Sequence, residues 1–237
     1  MIEVKNLVKK YGNHTAVKGI SFKVDKGKIY GFLGPNGAGK STTMNIMTGC
    51  LAATDGSVVI NGHDIFKEPK EAKKCIGYLP ELPPVYVDMT PLEYLEFVGK
   101  AKGVKNAELG KQIEKIMNMT GIKKVENRLI KNLSKGYRQR VGLAQALIGF
   151  PEIIILDEPM VGLDPHAIKQ LKEIFVELKN NGASVLISTH MLDSVETFWD
   201  TAYIMVGGKL KAKKTMGDSA ESLEELFFNI TESGDKN

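Results

Sequence analysis

Residues 28–42 read Lys-Ile-Tyr-Gly-Phe-Leu-Gly-Pro-Asn-Gly-Ala-Gly-Lys-Ser-Thr, and this stretch decides the fold class. Lys28 to Leu33 predicts a strand, and a helix is predicted from about Gly39 to Thr48. Between them Gly34, Pro35, Asn36, Gly37, Ala38, Gly39, Lys40 and Ser41 match G-x-x-x-x-G-K-[ST] in the strand–loop–helix setting that the pattern requires. Glycines let backbone N–H groups converge on phosphate oxygens where a Cβ would obstruct them. The N-terminus of the following helix adds a dipole that favours anions. Lys40 is placed to reach the β- and γ-phosphates of a nucleoside triphosphate, and the Ser41 hydroxyl to ligate Mg²⁺.

A phosphate loop alone would serve a kinase, a GTPase or an ATPase, and the second half of the chain discriminates. Ile153-Ile154-Ile155-Leu156 is a continuous apolar run that predicts a strand buried on both faces, as in a parallel sheet. It delivers Asp157 and Glu158 to the carboxyl end of that strand, where α/β sheets bind ligands. Asp157 is suited to hold Mg²⁺ through water, and Glu158 to polarise an attacking water. Ser134 is placed to cap a helix, and its hydroxyl with the exposed N–H groups there forms a second candidate anion site. His190 ends the strand predicted over Ser184–Ser188, within reach of a γ-phosphate. Asn-Lys-x-Asp, which would read guanine, does not occur.

Outside these segments the chain alternates in character. Residues 1–30 predict short antiparallel strands around a turn at Asp25-Lys26-Gly27, and Ser57–Ile60 a further strand between turn signals. Residues 81–150 read as helices. Thr90-Pro91-Leu92-Glu93 is a capping box, Ile113, Ile116 and Met117 mark a second helix, and Val141, Ala144, Gln145 and Ile148 one side of a third. Asp164-Pro165 opens another helix after the return to α/β pattern. The expected organisation is a single ATPase-sized domain, with an α/β core over 1–80 and 151–237 and a helical subdomain inserted at 81–150. The fold class is α/β: a mainly parallel sheet with an N-terminal antiparallel β subdomain.

Composition is ordinary for a globular chain of 237 residues, 43% hydrophobic and 25% charged. With 32 basic and 28 acidic residues, the formal charge of +4 gives no case for nucleic acid. The run Lys209–Lys214 reads as a solvated surface. Cys50 and Cys75 show neither metal nor disulfide spacing. Charge within Met1–Asn6 argues against a secretory leader, and no apolar run is long enough for a membrane span. The expectation is a cytoplasmic chain, peripheral to a membrane only through a partner.

Taken together, the motifs resemble those of the ATP-binding subunit of ABC transporters, over nearly the whole chain. Gly34–Thr42 is similar to Walker A, Leu133–Tyr137 to the family signature, Ile153–Glu158 to Walker B with its catalytic Glu, Gly162-Leu163-Asp164 to the D-loop, and His190 to the switch histidine. The resemblance implies ATP and Mg²⁺ as ligands, Tyr11 stacking on adenine, and a head-to-tail homodimer or heterodimer. In that dimer the loop of one chain would face Ser134 and Gly136 of the other, and hydrolysis would drive a membrane-spanning permease. Three positions depart from the pattern. Glu81 stands where Gln is usual, leaving a role in Mg²⁺ ligation or water orientation open; the signature reads Leu-Ser-Lys-Gly-Tyr; and Met160 replaces a small hydroxylated residue. The departures resemble the exporter branch for drugs, peptides and polysaccharides. The rival readings are an ABC ATPase of the iron–sulfur assembly type, with no transport role, and a small-molecule kinase.

Overall fold

The computed structural model describes residues 1–191, 198–218 and 221–234. The chain opens with a hairpin, β1 (Ile2–Tyr11) and β2 (His14–Val24), and then enters β3 (Ile29–Leu33). The glycine loop leads into α1 (Lys40–Met47), followed by β4 (Asp55–Ile60), β5 (His63–Asp64), α2 (Pro69–Lys74) and β6 (Ile76–Leu79). Three helices come next: α3 (Pro91–Ala101), α4 (Asn106–Thr120) and α5 (Lys135–Leu147). The chain then returns to the sheet with β7 (Ile153–Asp157), α6 (Pro165–Asn180) and β8 (Ser184–Thr189). After residues 192–197 come β9 (Thr201–Val206), β10 (Lys209–Thr215) and α7 (Leu223–Gly234).

Two sheets result. The first is antiparallel, in the order β2-β1-β4-β5. The second runs β10-β9-β3-β8-β7-β6, parallel throughout except for β10 at one edge. Side chains alternate across a strand, so each central strand feeds two apolar layers. Ile29 and Leu33 of β3, with Ile154 and Leu156 of β7, face the layer built by α3 to α6. Tyr30 and Phe32, with Ile153 and Ile155, face α1 and the antiparallel sheet. All five residues of β3 and of β7 are buried, as a doubly covered parallel sheet requires.

The helix starts follow the sequence. The Thr90 N–H donates to Glu93 at 2.8 Å and the Glu93 N–H to the Thr90 hydroxyl at 3.3 Å, closing the capping box of α3. Ser134 accepts from the Tyr137 N–H at 3.4 Å and Asp164 from the Ala167 N–H at 2.9 Å, capping α5 and α6. Three details differ from expectation. The first two strands are long, at 10 and 11 residues, not short. Their hairpin reverses at Gly12-Asn13, and Asp25–Gly27 instead carries the chain from β2 into β3. Ile148 is buried, but it is the C-cap of α5 in an extended conformation, not part of the helical stripe.

Candidate active site

The glycine loop leaves the middle of the parallel sheet at Leu33 and becomes α1 at Lys40. Its backbone is held from behind. A Cβ on Gly34 would collide with the Met205 carbonyl, and one on Gly39 would lie 2.6 Å from the Ala16 carbonyl oxygen. Gly39 also has φ 104°, which L side chains avoid. No side chain caps α1, so its first N–H groups remain available to an anion.

Lys40 is 5% exposed and folds back over the loop. Its Nζ donates to the carbonyls of Gly34 at 2.8 Å and Pro35 at 3.2 Å, and lies 3.3 Å from Glu158 Oε1. Glu158 is 6% exposed and has φ 46°, uncommon for a residue with a side chain. Its N–H bonds to the Ser188 hydroxyl at 3.1 Å, so β8 supports the strained turn after β7. Its carboxylate also lies 3.0 and 3.1 Å from His190 Nδ1. Glu158 is therefore held between Lys40 and His190.

Asp157 sits one residue deeper. Ser41 donates to its Oδ1 at 3.2 Å, and Ser188 hydrogen-bonds the same oxygen. Burial pushes the Asp157 carboxyl up; the Ser188 and Ser41 hydrogen bonds oppose that, and the charges of Glu158 and Glu81 add to it. Among the described residues, no group of three or more His, Cys, Asp or Glu forms a metal cage. A cation here would draw on the Ser41 hydroxyl, the Asp157 carboxylate, water and phosphate oxygens. Hard oxygens with few protein ligands are what Mg²⁺ prefers, so the residues fit it.

One cleft of about 720 Å³ collects most of the predicted residues: Tyr11 at its rim, the loop from Asn36 to Thr42, and Glu81, Glu158 and His190. Three loop residues serve from behind instead. Gly34 and Ala38 pack inward, and Pro35 offers its carbonyl to Lys40. Ser134 and Gly136 open into a different cleft of about 500 Å³, beside Lys124 and Arg140. The two clefts share no lining residue. The D-loop segment packs against this second site, with Lys135 lying over Gly162 and Leu163 beside Gly136. Met160 is buried in the helix-side apolar layer, which accounts for a large apolar residue there.

His14 and Val161 also line the first cleft and were not expected from sequence. His14 pairs with Tyr11 across the hairpin, so the tight turn at Gly12-Asn13 was the available signal. Val161 lies in an irregular segment after Pro159, where no periodicity marks a facing residue.

A family model described as "ABC transporter" matches residues 17–161. The lantibiotic transport ATP-binding protein SrtF of Streptococcus pyogenes is 37% identical over 97% of this chain and 96% of its own length. The linearmycin resistance ATP-binding protein LnrL of Bacillus subtilis is 34% identical over 99% of this chain and 76% of its own. A solved ATP-binding subunit of an ABC transporter superposes with a TM-score of 0.89 at 33% identity, covering 98% of this chain and 99% of that one. With the phosphate loop, the Asp157–Glu158 strand end and His190 gathered in one cleft, these matches establish that the chain belongs to the ABC transporter family, as one of its ATP-binding, ATP-hydrolysing cassettes.

Proposed function

We propose that this cassette works in pairs, closing on two ATP molecules with Mg²⁺ and using their hydrolysis to drive export through a separate membrane-spanning partner at the inner face of the membrane. The observation that carries the reading is the separation of the two clefts. The loop and Glu158 line one, Ser134 and Gly136 the other, so each chain offers two different half-sites. Head-to-tail pairing of two copies, or of this chain with a related cassette, would bring each loop to a partner's Ser134. A ligand that bridges such an interface biases a two-state assembly.

Within one half-site, Lys40 exchanges the Glu158 carboxylate for phosphate oxygens. Glu158, released from Lys40 but still held by His190, accepts a proton from the attacking water. Ser41, Asp157 and Glu81 would hold Mg²⁺, whose charge would offset that on the phosphates. Tyr11, exposed at the cleft rim, offers a ring face to the base.

For the membrane partner, Leu82 is 83% exposed, and Tyr86, Val87 and Phe97 are also open to solvent. Tyr86 packs edge-on against Tyr94 and Phe97. An apolar surface of this kind, next to Glu81, suits a docking partner. Export is preferred over import because SrtF and LnrL are named for lantibiotic transport and linearmycin resistance.

The test is oligomeric state by light scattering. Glu158→Gln with ATP should run as a dimer, and adding Ser134→Arg or Lys40→Ala should return it to a monomer. A Glu158→Gln dimer that survives Ser134→Arg would sink the head-to-tail pairing.

A further inference from the structure

We propose that the chain carries a further anion site, remote from the nucleotide cleft, where Lys70, Lys73, Lys74, Lys102 and Lys105 converge on a pocket of about 570 Å³ suited to a phosphate-bearing ligand. The pocket lies at the opposite end of the parallel strands from the phosphate loop. It is lined by Ile76, the first residue of β6, whereas Glu81 follows the last. Against the five lysines it presents a single carboxylate, Glu108.

Lysines at helix C-termini often serve only to satisfy carbonyls; two of the five do so, and a third pairs with a carboxylate. Lys73 donates to the Gly49 carbonyl at 3.1 Å, and Lys74 pairs with Glu71 at 2.8 Å. Lys102 donates to the carbonyls of Gln145 at 3.1 Å and Ile148 at 3.0 Å, at the end of α5. Among the described residues, the Lys70 and Lys105 ammonium groups make no hydrogen bond or ion pair. Lys105 is moreover the N-cap of α4, with no side chain closing that end. The positive end of a 15-residue helix therefore borders the same pocket, with Glu108 in its first turn.

Five ammonium groups outnumber the carboxylates of Glu71 and Glu108 beside them, and an anion of two or more charges would offset the remaining repulsion. The Lys102 ammonium would gain too, since desolvation beneath the α5 carbonyls pushes it down to about 8. Lys70, Lys73 and Lys74 belong to α2 on the core side, and Lys102 and Lys105 flank the α3–α4 junction. A bound anion would thus tie the sheet edge to the helical layer.

Phosphate groups reach such a pocket from a soluble ligand or from a lipid headgroup, and two measurements separate the sources. In the first, calorimetry follows inorganic pyrophosphate binding to the full chain carrying Lys40→Ala, which disables the nucleotide cleft. Adding Lys70→Gln and Lys105→Gln should weaken binding by at least about tenfold, the worth of one charge-assisted hydrogen bond, whereas Lys70→Arg with Lys105→Arg should retain it. In the second, the otherwise unaltered chain is sedimented with phosphatidylcholine vesicles with and without phosphatidylglycerol. Lysine-dependent pyrophosphate binding without vesicle binding supports a soluble ligand. Lysine-dependent sedimentation with the anionic vesicles supports a headgroup. The lysines are exposed, so the variants should melt like their parents. If neither arm changes when Lys70 and Lys105 are replaced, the site is refuted.

Discussion

Glu158→Gln tests the centre of the site, because the same carboxylate has two partners in the nucleotide-free chain. At 3.3 Å and an effective dielectric of about 20, the Lys40–Glu158 attraction is about 5 kcal/mol before desolvation is subtracted. Removing one member of a buried pair typically costs about 3–5 kcal/mol. Here Lys40 keeps the Gly34 and Pro35 carbonyls at 2.8 and 3.2 Å, and the new amide oxygen still accepts from it. The net loss should therefore be smaller, about 1–3 kcal/mol. For a chain of this size that lowers the melting temperature by roughly 2–12 °C. The direction reverses with ligand. A Lys40 freed from Glu158 binds phosphate without first breaking an ion pair, so the rise in melting temperature on adding ATP should be larger than in the unaltered chain. Phosphate release should meanwhile fall by about 10²–10⁴-fold, the usual worth of a general base. Scanning calorimetry with and without ATP, alongside a phosphate-release assay, reads all three. Unchanged release would refute Glu158 as the base. An unchanged ligand-free melting point with an unchanged ATP increment would refute the competition between Glu158 and phosphate for Lys40.

Gly39→Ala should destabilise the chain by about 1–3 kcal/mol from backbone conformation alone, with the Ala16 carbonyl 2.6 Å from the new Cβ adding to it, read as a lower urea midpoint. The Glu93 carboxyl is held low, first by the Thr90 N–H and then by the Thr90 hydroxyl. A depressed folded pKa contributes stability that is full above the unfolded value and lost as pH falls through the folded one. The melting temperature should therefore drop below about pH 4.5, and Glu93→Gln should remove that part of the drop. Chelating Mg²⁺ with EDTA should stop phosphate release until the ion is restored in excess. Glu81→Gln takes one negative charge from a cleft that also holds Glu158, with Asp157 buried close by, so half-maximal phosphate release should need about threefold to tenfold more Mg²⁺. An unchanged requirement would remove Glu81 from the metal's surroundings.

What the sequence disclosed depended on how local the signal was. The phosphate loop, the buried strand before Asp157, and the caps at Thr90, Ser134 and Asp164 are each specified within a few consecutive residues, so they could be read directly. The β1–β2 hairpin was misplaced because Asp25-Lys26-Gly27 is the louder turn signal, while Gly12-Asn13 is a two-residue reversal between long strands. His14 and Val161 depend on tertiary approach, and nothing in their neighbours announces it. The burial of Met160 likewise follows from which layer the loop after Glu158 packs against, a property of the assembled sheet.

The same distinction explains why the motifs alone leave the site half-described. Lys40 and Glu158 lie 118 positions apart, the one expected to reach phosphate and the other to polarise water. Folded, they are each other's partner at 3.3 Å, with His190 on the far side of the carboxylate. On the proposed mechanism, the lysine that binds the polyanion and the carboxylate that binds water are mutually neutralised until nucleotide arrives. That arrangement removes two problems together. An unpaired buried ammonium and an unpaired buried carboxylate would each be costly, and a carboxylate free to activate water before the phosphates are in place would have nothing to attack. The ion pair makes the resting cleft tolerable to the fold, and its proposed exchange for phosphate would make Glu158 available only when the substrate is bound.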